Sequence, residues 1–479
     1  SWAWEYAADC AYECTDWYIW INCNETPVYN ISNSLKFSRA DSAYLSRTPS
    51  VAGDRTKWTW SWWVKRNSLS SNDRQVLFWW MSTATDSWWF ECGFWYNSET
   101  NDSIYCTTNS KNVATTQTFK DISKWNHVLI VVDTKQAIAS DRLKVFVNGV
   151  NQNMPALSIF TEGFSAGVNQ ASSHTIWMSP NTVAWRYFDW QMSEVNFIDW
   201  QALTASDFGV DNNWTWSPKE YTGTYWTNWF HLDFSDSSNV WKDVSVKWND
   251  WSSGEWNPAS DDITIDTPTN IFASWASAPW VATISEWGLK SVCTSSNKIV
   301  KSNFEFSTGK WYWEVYFEWE SWPYSVVWVA NSSKTDWHTD TNVWSYISRQ
   351  NSPGWATFNR ETSSTPDHSN IDLFSSWDII MMAVDANTWT VWYWKNGTWL
   401  HSWNPSTWIN ARYSNLSWTL TPVVAQSIWY GSSDLIANFW QDSSFAGTKT
   451  KQNNTDDWGI GDFYYTPPAW FKALSSKNK

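Results

Sequence analysis

The feature that most constrains this chain is that its apolar residues come in short, closely spaced blocks with no helical repeat. Residues 58–64, 75–81, 127–133, 143–148 and 194–198 are each brief, β-branched or aromatic, and bounded by Asn, Asp, Ser and Gly. From 235 to 279 the texture changes to Ser, Asp, Asn and Pro with only short apolar runs, the composition of a connector laid over a surface. Strand texture returns at 298–306, 311–317, 325–330, 378–384, 390–394, 422–425 and 435–439. No amphipathic helix is legible. The pattern predicts an all-β chain, two jelly-roll or β-sandwich domains in tandem, with few contacts crossing a linker at 236–282.

The 479 residues suffice for two or three domains with cores of their own. Hydrophobic residues make up 43% of the chain, enough burial to offset the entropy of ordering it. The net charge of −15 opposes a phosphate backbone, so no nucleic-acid partner is expected. The start lacks a basic region followed by an apolar stretch, and no run of about 18 apolar residues occurs, so neither a signal peptide nor membrane insertion is expected. Of six cysteines, Cys10, Cys14 and Cys23 crowd the first 23 residues, Cys92 and Cys106 fall on adjacent strand-like segments, and Cys293 stands alone. No C-x-x-C pair points to zinc. A Cys92–Cys106 bridge and free buried thiols both fit, the thiols being the simpler reading.

Tryptophan is out of place as well as abundant. The chain holds 49 tryptophans but only 16 glycines, about half the glycine expected at the usual ~7%. Trp200, Trp226, Trp229, Trp248 and Trp470 sit in turn-like contexts where a residue with positive φ is wanted and a bulky aromatic is poorly suited. The expectation is that many tryptophans, though not those in strand context such as Trp60, Trp125, Trp311 and Trp313, are glycines in the natural polypeptide, through a reassigned codon or a misreading of the chain.

Two resemblances follow from particular residues. Ser34 to Phe37, Ala43 to Leu45, Trp58 to Ser61 with Val64-Lys65-Arg66, Trp125-Asn126-His127-Val128 and Leu143 to Gly149 make residues 28–235 resemble a laminin-G-like, concanavalin A-like sandwich. Gly309 to Val315, followed some 80 residues later by Lys395-Asn396-Gly397-Thr398, makes 283–479 resemble a SPRY domain. The module order, Asn438 to Asp442 and the ending Tyr465-Thr466-Pro467-Pro468 are similar to a group of tailed-bacteriophage virion proteins, whose members usually carry glycine at the positions of Trp200, Trp440 and Trp470. That resemblance implies a virion-surface location, as a tail fibre or a capsid fibre or decoration. It also implies a homo-oligomer bound to other virion proteins through the aromatic, cysteine-rich segment 1–27.

Catalytic chemistry finds little support. Glycosidases on concanavalin-type folds need two carboxylates flanking the scissile bond. Glu314, Glu318 and Glu320 share one strand face, but Glu314 lies inside the SPRY-like motif and reads as structural. His127, His174, His231, His338, His368 and His401 are scattered, and no nucleophile elbow or phosphate loop occurs, so no catalytic residues and no enzyme are expected. No resident cofactor or metal is expected either. Calcium is the one ion left open, because Asp261, Asp262 and Asp266 offer hard oxygen ligands, although a solvated acidic turn is the simpler reading. Eight Asn-x-Ser/Thr sequons suit an Asn-rich chain by chance.

Binding remains. Loops 335–341, with Asp336, Trp337 and His338, and 349–360, with Trp355 and Arg360, combine aromatic faces with groups that orient hydroxyls or carboxylates. These are the expected ligand-binding residues for a host cell-surface glycan. The alternatives are a polysaccharide depolymerase and a purely structural capsid or tail component.

Overall fold

The computed structural model describes residues 29–479 except 39–41, 68, 70–73, 81–89, 96–101, 109–110, 155–158, 177–189, 213–214, 254–257, 277–280, 294–298, 321–324, 334–342, 349–356, 359–375, 400–403, 408–418 and 427–432. Within these the regular structure is strand, with single 3-10 turns between, and the sheets are all but entirely antiparallel. No described helix is long and apolar enough to cross a membrane.

The first sandwich is built on three long neighbouring strands, Lys57–Arg66, Trp125–Asp133 and Trp190–Asp199. Strand period dictates their packing. Trp58, Trp60, Trp62 and Val64 point into the core, opposite Phe78, Phe90 and Phe94 of the second sheet. The outward face is also covered, since Leu129, Val131 and Ile198 are sealed by Phe208 and Trp229 from the 205–229 segment. That extra layer accounts for strands that are buried on both faces. Trp229, placed in a turn by the sequence, is therefore a fully buried core residue.

The second sandwich repeats the plan. Its larger sheet centres on Lys310–Glu320, flanked by Ile379–Asp385 and Ser433–Asn438, and faces a sheet centred on Leu420–Gln426. Trp311, Trp313, Met382, Trp392 and Phe439 lie in one continuous core. Both sandwiches turn a hairpin with the same device. Asn148 and Gly149 have φ of 47° and 80°, and Asn396 and Gly397 have 49° and 77°, as Asn-Gly hairpin turns require. Each asparagine Oδ1 then accepts a neighbouring strand's N–H, that of His127 or Ile379, at 2.8 Å.

Residues 236–282 are not a bare connector. Ser252–Ser253 pairs with Leu45–Arg47, and Ile263–Thr264 extends the first sheet beside Ser34–Phe37. Asp266 is buried, with Lys65 Nζ at 2.6 Å and Trp125 Nε1 donating at 3.1 Å. A lysine at the end of a buried strand needs a carboxylate, and this segment supplies it. From Phe272 onward the chain belongs to the second core, and Asn303 Nδ2 donates to Ser123 O at 3.3 Å across the two sandwiches.

Cys92 and Cys106 face each other across neighbouring strands and form a disulfide, correcting the preferred reading of free thiols. The register brings their Cα atoms to 4.2 Å, which alternation along each strand alone does not specify. Cys293 is free and buried, whereas Cys10, Cys14 and Cys23 lie outside the described residues.

Candidate functional site

Asp336, Trp337, His338, Trp355 and Arg360 all lie outside the described residues. Of the acidic turn, Asp266 is consumed by Lys65 and Trp125, and Asp262 Oδ2 accepts the N–H of Ala259 at 2.8 Å. No group of three metal-ligating side chains occurs among the described residues.

The carboxylates on the Lys310–Glu320 strand are dispersed. Glu314 is fully buried and accepts from Tyr464 N, Tyr465 N, Tyr312 Oη and Asn438 Nδ2. Burial pushes its carboxyl up to about 7, against four donors that favour the charged form. Its role is to tie the C-terminal segment to the central strand. Glu318 pairs with Lys290 at 2.5 Å, and the side chain of Glu320 lies outside the described residues.

The site that the fold does assemble is a cleft of about 550 Å³ at the seam between the sandwiches. Leu35 and Phe37 enter the first core, so the strand period turns Lys36 outward into the seam. Lys36 Nζ lies 4.7 Å from the centre of the Trp287 ring and forms no ion pair among the described residues. Desolvation lowers its pKa, while Asp442 and Asp262 oppose that shift. The opposite wall is the 438–447 loop, pinned from within: Asn438 Oδ1 accepts the N–H groups of Trp440 and Asp442, and Asp442 accepts those of Ser444 and Ala446. Gln441 donates to Ala273 O at 2.9 Å, but its buried Oε1 has no protein partner. An ammonium with no close ion pair among the described residues and an unpaired amide oxygen, held on rigid walls beside carboxylates, suit a neutral polyhydroxy ligand that donates and accepts.

Sequence reasoning missed this cleft because its walls come from residues some 400 positions apart. In the sequence Lys36 reads only as part of a strand, and Gln441 and Asp442 only as part of a motif.

A second polar cluster lies on the first sandwich, where the Trp190–Asp199 strand bulges between Ser193 and Asn196. Glu194, at φ 50°, accepts from Tyr29 Oη at 3.3 Å and pairs with His231 Nε2 at 2.7 Å. Burial lowers the His231 pKa, but Glu194 more than offsets it, and the net shift is upward.

No family model matches the chain, and no curated protein matches it. Among solved structures it is similar to a heptameric SAP-like pentraxin from Limulus polyphemus, at 14% identity over 36% of this chain and 78% of that one, with a TM-score of 0.28. It is similar to the SPRY domain of human HERC1, at 17% identity over 33% and 95%, TM-score 0.26. A putative carbohydrate binding protein from Bacteroides ovatus shares 14% identity over 50% and 60%, TM-score 0.33. The neighbours are thus SPRY domains and jelly-roll sandwiches, at the level of a weak likeness in fold.

Proposed function

We propose that this chain is a non-enzymatic virion-surface protein that binds host cell-surface carbohydrate, with the seam cleft as its principal site. The observation that carries the binding reading is that Lys36 and Gln441 Oε1 share one cleft, the first with no ion pair and the second with no hydrogen-bond partner among the described residues. Among the described residues neither the half-buried Lys36 Nζ nor the buried Gln441 Oε1 has a hydrogen-bond partner, and hydroxyls of a saccharide satisfy both. The virion location rests on the module order and the resemblance of Asn438 to Asp442 and Tyr465 to Pro468. Segment 1–27 then serves as the attachment element, and the chain works as a homo-oligomer displayed in many copies.

A small polar ligand in an open cleft returns limited free energy after desolvation, so single-site affinity lies nearer ~1 mM than ~1 nM, and display of several copies raises avidity by about 10² to 10⁴. The test is a glycan array probed with the full chain as monomer and as multivalent display, beside Gln441→Ala and Lys36→Met. Binding that appears on display and falls at least tenfold in both variants is expected. Tight monomeric binding, binding indifferent to both variants, or release of reducing sugar from host polysaccharide would refute the reading.

A further inference from the structure

We infer that the natural polypeptide carries glycine at seven positions written here as tryptophan, Trp200, Trp248, Trp287, Trp377, Trp389, Trp440 and Trp470, and that one codon of reassigned meaning stands at all seven. The backbone makes the assignment. Nineteen described non-glycine residues have positive φ, and seven of them are tryptophans, although tryptophan is only 49 of 479 residues. The left-handed region sets Cβ against the following carbonyl, and the residues that visit it ordinarily are Gly, Asn and Asp.

Local geometry repeats the point. Asp385 Oδ1 accepts the N–H groups of Asn387 and Thr388, closing a tight loop whose last residue, Trp389, is left-handed at φ 56°. That is the position where a hairpin loop takes glycine. Trp440, at φ 142°, lies beyond the left-handed well of L-residues altogether.

The side chains agree with the backbone. Trp200, Trp248, Trp377 and Trp470 are 59%, 84%, 59% and 64% exposed, so their indoles have little to pack on. Trp287 and Trp440 instead bury an indole N–H that has no protein partner, and Trp440 presses on Phe272 with ring centres 3.9 Å apart, inside the usual 4.5–7 Å. Unpartnered indoles also occur in strands, at Trp58, Trp62 and Trp313, so it is the sign of φ that separates the two sets. Trp125 and Trp311 have negative φ and donate their N–H to Asp266 and to Thr308 O. Both indoles that line the seam cleft are among the seven, so the natural cleft is wider and is defined by Lys36, Gln441 and the carboxylates. The inference itself is independent of what the cleft binds.

The test reads the gene and the protein. The codon at the seven positions is expected to be one codon, different from that at Trp125 and Trp311. Peptide mapping of the protein from its natural source is expected to show glycine at all seven. The ordinary tryptophan codon, or tryptophan found at any of the seven, would overturn the inference. A recombinant full chain with all seven changed to glycine should melt at a higher temperature than the chain as written; a lower midpoint would equally overturn it.

Discussion

Replacing Trp248 by glycine should make the first sandwich more stable, the reverse of what removing a large aromatic ordinarily does. Trp248 is 84% exposed at φ 60°. Its turn is held without it: Asp243 accepts the N–H groups of His231, Ser245 and Asn249. The left-handed conformation costs a residue with a Cβ roughly 1–2 kcal/mol. Glycine relieves that cost but frees the unfolded chain, which returns about 0.5–1 kcal/mol in the wrong direction. The balance is a gain of up to about 1.5 kcal/mol, a rise of up to roughly 6 °C in the midpoint of a domain of this size. Urea unfolding of the full chain, followed by circular dichroism, measures it against Trp58→Gly. Trp58 is fully buried in the first core, and its truncation should cost about 3–5 kcal/mol. If Trp248→Gly lowered stability by 1 kcal/mol or more, the argument from backbone strain would be wrong.

Three further outcomes follow from buried charge and chain continuity. Arg66 donates to Gln75, to Phe119 O and, at 2.6 Å, to Asp102, all out of solvent, so Asp102→Ala should cost about 3–5 kcal/mol in denaturant unfolding by stranding the guanidinium. The His231 pKa is raised in the fold from its ordinary 6.5; its contribution is therefore fully present below that value and lost as pH rises through the folded pKa. Stability should decline as pH rises above the ordinary histidine value and through the raised folded pKa, and Glu194→Gln should flatten that slope. A fragment ending at 270 should fold cooperatively, whereas one ending at 235 should be insoluble or markedly less stable, since it loses two edge strands and leaves Lys65 buried without Asp266.

The sequence makes legible whatever depends on local repetition. Alternation in Trp58 to Val64 marks a strand and its inner face, and Asn148-Gly149 and Asn396-Gly397 mark their turns, because period and turn chemistry are properties of neighbouring residues. Pairing over distance is another matter. Two-residue strands such as Ser252–Ser253 carry no period, and they hold their place through Ser46, Asp243 and neighbouring sheet edges. The Cys92–Cys106 bond depends on register, Lys65 and Asp266 are separated by 201 positions, and the cleft depends on how two sandwiches meet. None of these has a signature within a window of residues.

That meeting sets a condition on function. Lys36 comes from the first sheet and Gln441 and Asp442 from the second sandwich, while Asp266 accepts both from Lys65 and, at 3.4 Å, from Phe272 N at the start of the second core. A ligand in the cleft therefore binds the docked pair better than either half alone, and by linkage it must stabilise the docking. At ten times the dissociation constant the stabilisation is RT ln 11, about 1.4 kcal/mol, whatever the affinity. Fragments 29–270 and 271–479, mixed with a saccharide identified on the array, should associate roughly tenfold more tightly than without it, and neither should bind it alone. Calorimetry of the mixture decides the matter: saccharide binding by the second fragment on its own, with undiminished affinity, would move the site off the seam and onto the loops at 335–341 and 349–360.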